Sequence, residues 1–136
     1  MTAARERETD AHWMHQALAA AHEARARGEV PVGTCIVANE EILAVAGNRT
    51  RTDGDPTAHA EIVALRAAAG KLGNYRLTDA IVYSTVEPCV MCAGALIQAR
   101  VRRLVYGKRH VAAGSLPAPG SWTEISEWLA AYEPID

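Results

Sequence analysis

The chain has 136 residues, of which 49% are hydrophobic and 22% are charged, and its formal net charge is −2. This length and composition predict a single globular domain, residues 1–136, and the weak negative charge argues against a protein that coats DNA. The first ten residues are charged and form no apolar signal segment, and no apolar run reaches the roughly 20 residues of a membrane span. We therefore expect a cytoplasmic protein with no membrane partner.

The spacing of apolar residues and turn formers predicts seven elements. In chain order they are a helix that follows Asp10 and ends at Gly28, a hairpin of strands 34–38 and 42–46, a helix over 57–71, a strand over 80–86, a helix over 88–99 and a strand over 103–106. Helices between the later strands predict an α/β fold with a mixed sheet. A capping box at 121–124, followed by an apolar stripe, predicts a final helix.

Two short segments carry side chains that suit a metal ion: His59-Ala60-Glu61 and Pro88-Cys89-Val90-Met91-Cys92. Cys89 and Cys92 lie three positions apart at a predicted helix start, where the helix dipole favours thiolates. Catalytic zinc sites use three protein ligands, such as two thiolates and one imidazole, and leave the fourth position to water. We therefore expect His59, Cys89 and Cys92 to bind one Zn²⁺ ion in a hydrolytic site.

Glu61 is the predicted proton carrier of this site. Residues i and i+2 point to nearly opposite sides of a helix, so His59 and Glu61 can meet at one metal only if the helix presents its tip. The segment 55–57, Asp-Pro-Thr, supplies the turn and start signals for such a tip. Glu61 would then take a proton from water and deliver it to a ring nitrogen and a leaving amine.

Other interpretations of the cysteines and histidines remain open at this point. A Cys-x-x-Cys pair also suits a structural zinc knuckle or a redox pair, but a structural zinc site normally closes with four protein ligands. The third cysteine, Cys35, lies in a predicted strand and is expected to be a buried core residue. His12, His15 and His22 lie in the first predicted helix and are expected to be surface or packing residues.

The signature His-x-Glu followed by Pro-Cys-x-x-Cys is that of zinc-dependent nucleobase deaminases. Segments 28–33, 55–61, 74–77 and 87–95 resemble the bacterial tRNA adenosine deaminases, within a dense match over 28–115. The resemblance implies a three-layer α/β/α fold like that of cytidine deaminases, one bound zinc ion and a homodimer.

By residue match, the resemblance also assigns roles around the metal. The three expected ligands and Glu61 keep the roles given above, with Glu61 as the catalytic residue. Asn48 would hydrogen-bond the flipped base, although Asn is also a common turn former after a strand. The backbone N–H groups of Ala60 and Cys89 would help to hold the base or the oxygen at the metal.

The chain departs from the family after its last matched strand. The stretch 107–115 is shorter than in the family, and His110 stands where the family has an Asp that faces the RNA backbone. Arg109 and His110 are therefore candidate substrate-binding residues. The tail, 116–136, is short and divergent. These changes affect the prediction of the substrate more than that of the chemistry.

A basic cluster supports a nucleic-acid partner. Five of the 14 Lys and Arg residues fall within ten positions: Arg100, Arg102, Arg103, Lys108 and Arg109. Such a cluster can contact phosphates, but it can equally be a solvated surface on which Arg stems cover apolar area.

The expected reaction is the hydrolytic deamination of adenosine to inosine, at the wobble position of a tRNA anticodon loop or in a related single-stranded nucleic acid. The alternative is a deaminase of free nucleobases or nucleosides such as guanine or cytosine, which the altered stretch 107–115 suggests. A non-catalytic, zinc-stabilised binding module is disfavoured, because a structural site has no use for Glu61.

Overall fold

The structure, a computed structural model, describes residues 3–108. Seven elements follow one another in the predicted order: α1 (Ala3–Ala26), β1 (Gly33–Ala38), β2 (Glu41–Gly47), α2 (Ala60–Leu72), β3 (Ala80–Val86), α3 (Val90–Gln98) and β4 (Arg103–Lys108). Within the described range, no helix combines the length and the apolar character needed to cross a membrane. The capping box at 121–124, the helix predicted after it and the tail 116–136 lie outside the described residues.

The first helix is longer than the sequence pattern predicts. It begins at Ala3 rather than after Asp10. Asp10 is instead a contact between layers, because its carboxylate accepts a hydrogen bond of 2.8 Å from the hydroxyl of Tyr83 and forms an ion pair of 2.7 Å with Arg103. The polar residue that looked like a helix start therefore holds α1 against β3 and β4.

The four strands form one mixed sheet in the order β2-β1-β3-β4. Strand β1 pairs antiparallel with both β2 and β3, whereas β4 runs parallel to β3. The predicted hairpin is confirmed, and its turn residues Asn39 and Glu40 have φ values of 52° and 63°. Two successive left-handed residues are typical of the type I′ turn, whose twist matches that of the strands.

Helices cover both faces of the sheet, which confirms the three-layer arrangement. Ile36 of β1 packs into a core with residues of α2 and α3, whereas its neighbours Cys35 and Val37 pack into a second core with Ala17 of α1. Successive side chains of a strand point to opposite faces, so α1 lies on one face and the other two helices on the other. The expectation that Cys35 is a core residue is confirmed, and burial raises the pKa of its thiol to about 11.

One end of the sheet gathers the loops that build the site. Gly33, at the start of β1, pairs with Gly47 at the end of β2, and Thr34 pairs with Ser84 near the end of β3. The antiparallel pairings therefore bring together the segment before β1, the loop 48–59 and the loop 87–89. The start of β4 lies at the opposite end, because β4 is parallel to β3.

Gly33 is required by the close approach of α1 to the sheet. A Cβ atom at this position would overlap the backbone carbonyl oxygen of Ala17. We expect Gly33→Ala to lower the free energy of unfolding by about 2 kcal/mol or more, because backbone cannot yield as a flexible side chain does. Urea unfolding would measure the loss.

The matched control is Gly70→Ala, because Gly70 lies exposed in α2 and an added Cβ atom there would point into open space. This variant should gain about 0.5–1 kcal/mol from improved helix propensity. Equal midpoints for the Gly33 variant and the parent would contradict the close packing of α1.

Candidate functional site

The site lies where two helices begin. His59 is the N-cap residue of α2 and Cys89 is the N-cap residue of α3, both in extended backbone conformation. Neither side chain caps its own helix. Since Ser, Thr, Asp or Asn at an N-cap typically contributes about 1 kcal/mol, these two positions give up helix stability to direct an imidazole and a thiol elsewhere.

The helix starts lie later than the sequence pattern predicts. Helix α2 begins at Ala60 rather than at Thr57, and α3 begins at Val90 rather than at Pro88. Before α2, the carboxylate of Asp55 accepts hydrogen bonds from the backbone N–H and the hydroxyl of Thr57, at 2.9 and 2.8 Å. This local turn competes with the helix and keeps His59 at the tip.

The three predicted ligands come together with the geometry of a zinc site. The Nδ1 atom of His59 lies 3.6 Å from the Sγ atom of Cys89 and 3.5 Å from that of Cys92. Zn–N and Zn–S bonds of about 2.1 and 2.3 Å at a tetrahedral angle give an N···S separation of about 3.6 Å. Among residues 3–108, His59, Cys89 and Cys92 form the one group of potential metal ligands whose ligand atoms all lie within 4.8 Å of one another.

The two thiols of the site are electrostatically coupled. A hydrogen bond from Cys92 lowers the pKa of the Cys89 thiol to about 5, although partial burial acts in the opposite direction. The same hydrogen bond and the burial of its sulfur raise the pKa of Cys92. The pair therefore holds one proton and one negative charge beside an imidazole, and a divalent cation bound there would replace the proton.

Glu61 reaches the same cleft from the second position of α2. Its side chain is buried, with 4% of its surface exposed. Desolvation raises the pKa of its carboxyl group to about 7, and the neighbouring Cys89 adds to the effect. The helix presents its tip, as the i and i+2 spacing of His59 and Glu61 required.

An open cleft of about 270 Å³ adjoins the ligands. Its polar lining includes Asn48, Glu61 and Glu87, and its apolar lining includes Val30 and Val86. This volume lies just below the range of about 300–1,000 Å³ that is typical of ligand pockets, so it suits one flat ring system rather than an extended ligand.

Asn48, the predicted base-binding residue, lines the cleft, and the structure adds a partner that sequence analysis missed. The buried carboxylate of Glu29 accepts a hydrogen bond of 3.1 Å from Nδ2 of Asn48. Hydrogen bonds, first from the hydroxyl of Thr52, lower the pKa of Glu29 to about 2. The only signal in the sequence was a glutamate in an otherwise apolar segment, 28–33, between a helix and a strand.

Ala60 is the first residue of α2 and is fully buried, between His59 and Glu61, which line the cleft. The first N–H groups of a helix have no partner within that helix, so this end of α2 offers donors and a positive partial charge.

The basic cluster does not form one patch. Arg103 is bound to Asp10, and the exposed Arg100 and Arg102 lie near the start of β4, at the end of the sheet away from the cleft. Arg109 and His110 lie outside the described residues, as does the side chain of Lys108.

The histidines of the first helix remain outside the site. His12, His15 and His22 are exposed on α1, which confirms the expectation that they are surface residues.

The chain resembles proteins of known family. Residues 7–108 match the family model of the cytidine and deoxycytidylate deaminase zinc-binding region. A tRNA-specific adenosine deaminase of Buchnera aphidicola is 46% identical over 98 residues, which make up 72% of this chain and 65% of that protein. The chain thus spans just under two thirds of the length of this relative.

Two solved structures share the fold. One, from a study of A-to-I editing by tRNA:A34 deaminases at the wobble position of transfer RNA, is 48% identical with a TM-score of 0.72 and covers 74% of this chain and 77% of its own. The other, guanine deaminase from Bacillus subtilis, is 40% identical with a TM-score of 0.71 and covers 73% of this chain and 64% of its own.

The family match extends over the whole described sheet and both helix tips, and the three side chains at those tips have the spacing that zinc requires. Zinc is therefore the cofactor of this site. On this evidence of sequence, fold and metal-binding geometry, the chain belongs to the cytidine and deoxycytidylate deaminase family.

Proposed function

We propose that the protein is a zinc-dependent hydrolytic deaminase that converts adenosine to inosine in transfer RNA or a related single-stranded nucleic acid. The observation that carries the proposal is the position of Glu61, a buried carboxyl group that lines the same cleft as the metal ligands His59 and Cys89. A purely structural zinc site gains nothing from such a group. A transfer-RNA substrate would place the protein in the cytoplasm.

The chemistry divides between the cofactor and the side chains of the chain. Zinc, when bound, supplies a water molecule whose pKa is lowered from about 15.7 to about 7. Glu61 accepts one proton from the attacking water and delivers it to the ring nitrogen. It then accepts the second proton from the hydroxyl group added to the base and delivers it to the leaving amine, which departs as ammonia. A carboxyl pKa near the working pH suits both directions of transfer. The products are inosine and ammonia, so the sum of the reaction is the replacement of an amino group by oxygen from water.

The ligand roles of His59, Cys89 and Cys92 generate the first prediction of the proposal. Cys92→Ala should lose bound zinc, because two remaining ligands cannot hold the ion as three do. Elemental analysis of the purified protein would measure zinc per chain. Cys35→Ala is the matched control, since Cys35 is a buried cysteine in β1 outside the site, and it should retain one zinc per chain. Full zinc occupancy in the Cys92 variant would refute the ligand set.

The substrate is proposed from two lines of support. The volume of the cleft suits one base, and proteins that read RNA sequence typically bind bases splayed out of a single-stranded loop. The Buchnera relative is named for adenosine in tRNA. A free purine such as guanine is the second candidate, because the guanine deaminase of Bacillus subtilis superposes about as well as the structure from the tRNA:A34 deaminase study.

A substrate panel separates the two candidates. We expect inosine to form in an anticodon stem-loop with adenosine at the wobble position, and we expect little ammonia from free guanine, cytosine or their nucleosides. Rapid ammonia release from guanine with no inosine in the stem-loop would establish the second candidate instead.

The role of Glu61 is tested by substitution. Glu61→Gln should keep zinc and lose about 10²–10⁴-fold in rate, the usual contribution of a positioned proton carrier. Glu23→Gln on the exposed side of α1 is the control for loss of a carboxylate.

We also propose that the protein is a homodimer that associates through α3. This helix carries no charged residue over Val90–Gln98, and Val90 and Met91 are 42% and 38% exposed. A helix at a protein surface normally carries polar residues on its outer side, so an uncharged outer side indicates a covering partner.

The dimer proposal predicts that a charge on α3 separates the subunits. Met91→Glu should sediment as a monomer where the parent sediments as a dimer, because the carboxylate would be buried in an apolar interface. Leu18→Glu is the matched control, as Leu18 is 40% exposed on α1, across the sheet from α3. A parent protein that is monomeric at micromolar concentration would refute the proposal.

A further inference from the structure

We propose that Glu29 is a positioning residue that determines which atom of the Asn48 amide faces a bound base, and thereby which base edge the cleft accepts. The inference rests on the proposed function, because it assigns a role in base recognition within the same cleft. It concerns a residue that lies before β1, about 30 positions from the metal-binding segment of α2.

Glu29 is buried and both of its carboxylate oxygens are engaged. Oε1 accepts from Nδ2 of Asn48 at 3.1 Å and from the backbone N–H of Arg51 at 3.2 Å. Oε2 accepts from the backbone N–H and the hydroxyl of Thr52, both at 2.6 Å. One side chain thus joins the start of the loop 48–59 to the segment before β1.

The amide of Asn48 has both of its N–H donors committed. Nδ2 donates to Glu29 and also to Oγ1 of Thr50, at 2.9 Å. An ionised carboxylate only accepts hydrogen bonds, so Glu29 cannot face the amide oxygen of Asn48. A hydroxyl such as that of Thr50 can face either atom, and therefore Glu29 alone decides the orientation.

The consequence for recognition is chemical. With Nδ2 committed, the atom that Asn48 can offer to a base in the cleft is Oδ1, a hydrogen-bond acceptor. A base is then recognised through one of its N–H groups, and an edge that presents only ring-nitrogen acceptors is disfavoured because two acceptors would face each other. The charge of Glu29 thus sets the polarity of a contact that Glu29 itself does not make.

A simple structural role for Glu29 makes different predictions. If Glu29 only braces the loop through Thr52, then removing the Thr52 contacts should cost as much activity as changing Glu29. If Glu29 orients Asn48, activity should depend on the contact between Oε1 and Asn48 and only weakly on the contacts between Oε2 and Thr52. Thr52 is exposed, so Thr52→Val removes a hydroxyl bond to Oε2 and leaves the bond to Asn48 in place.

The experiment reverses the polarity of the pair. We expect Glu29→Gln and Asn48→Asp each to lower kcat/KM for the anticodon stem-loop by about 10- to 100-fold, the usual cost of losing a residue that orients another. In the double variant, the side-chain amide introduced by Glu29→Gln donates to the carboxylate introduced by Asn48→Asp, whose second oxygen is again an acceptor, while the bond from the backbone N–H of Arg51 is lost. The double variant should recover at least about tenfold over the weaker single variant, whereas Thr52→Val should stay within about threefold of the parent.

Zinc content and melting temperature, measured on every variant, separate folding from positioning. The inference is overturned if Glu29→Gln is as active as the parent, if the double variant recovers nothing, or if Thr52→Val loses as much activity as the Glu29 variant. If the Glu29 variants do not fold, Asn48→Asp and Thr52→Val still decide the matter, because both keep Glu29, and an equal loss of activity in these two variants overturns the inference. A parent protein that forms neither inosine nor ammonia would instead refute the proposed function itself.

Discussion

The site depends on two helices that begin at one point in space. Strand β1 pairs antiparallel with β2 and β3, so the loops that follow those two strands emerge together and lead into α2 and α3. The N-cap positions of both helices carry metal-binding side chains instead of capping ones. Helix tips also supply a positive partial charge, which favours the thiolates that zinc requires. The two N-cap positions thus lose the stability that a capping side chain would add, and in return they hold the metal ligands in place before the ion binds.

Two carboxyl groups at this end of the sheet behave in opposite ways. Glu61 has lost its water shell, and its pKa rises to about 7, so it can exchange protons near neutral pH. Glu29 is also buried but accepts four hydrogen bonds, and its pKa falls to about 2. The first is suited to move a proton and the second to hold a fixed charge. Desolvation dominates at Glu61, whereas at Glu29 the hydrogen bonds, first that from the hydroxyl of Thr52, outweigh desolvation.

The packing of α1 supports this arrangement from the other face of the sheet. Gly33 allows the backbone of α1 to approach the start of β1, and Asp10 joins α1 to Tyr83 and Arg103. These contacts fix the strands whose ends carry the loops of the site. They also account for Arg103, which the sequence pattern placed in a basic cluster and the structure pairs with a carboxylate.

Sequence alone determined the ligand set, the hairpin and the order of elements, because these follow from residue chemistry and from spacing within short segments. It also determined that His59 and Glu61 can share a site only at a helix tip. The start of α2 at Ala60 is also a local feature, because the turn that Asp55 forms with Thr57 outcompetes helix propensity there. Only the tertiary structure decided which distant side chains meet. The contact between Glu29 and Asn48 joins residues 19 positions apart, and the basic cluster is divided by the direction of β4. Such features depend on which strands pair and in which direction, and no local pattern encodes that.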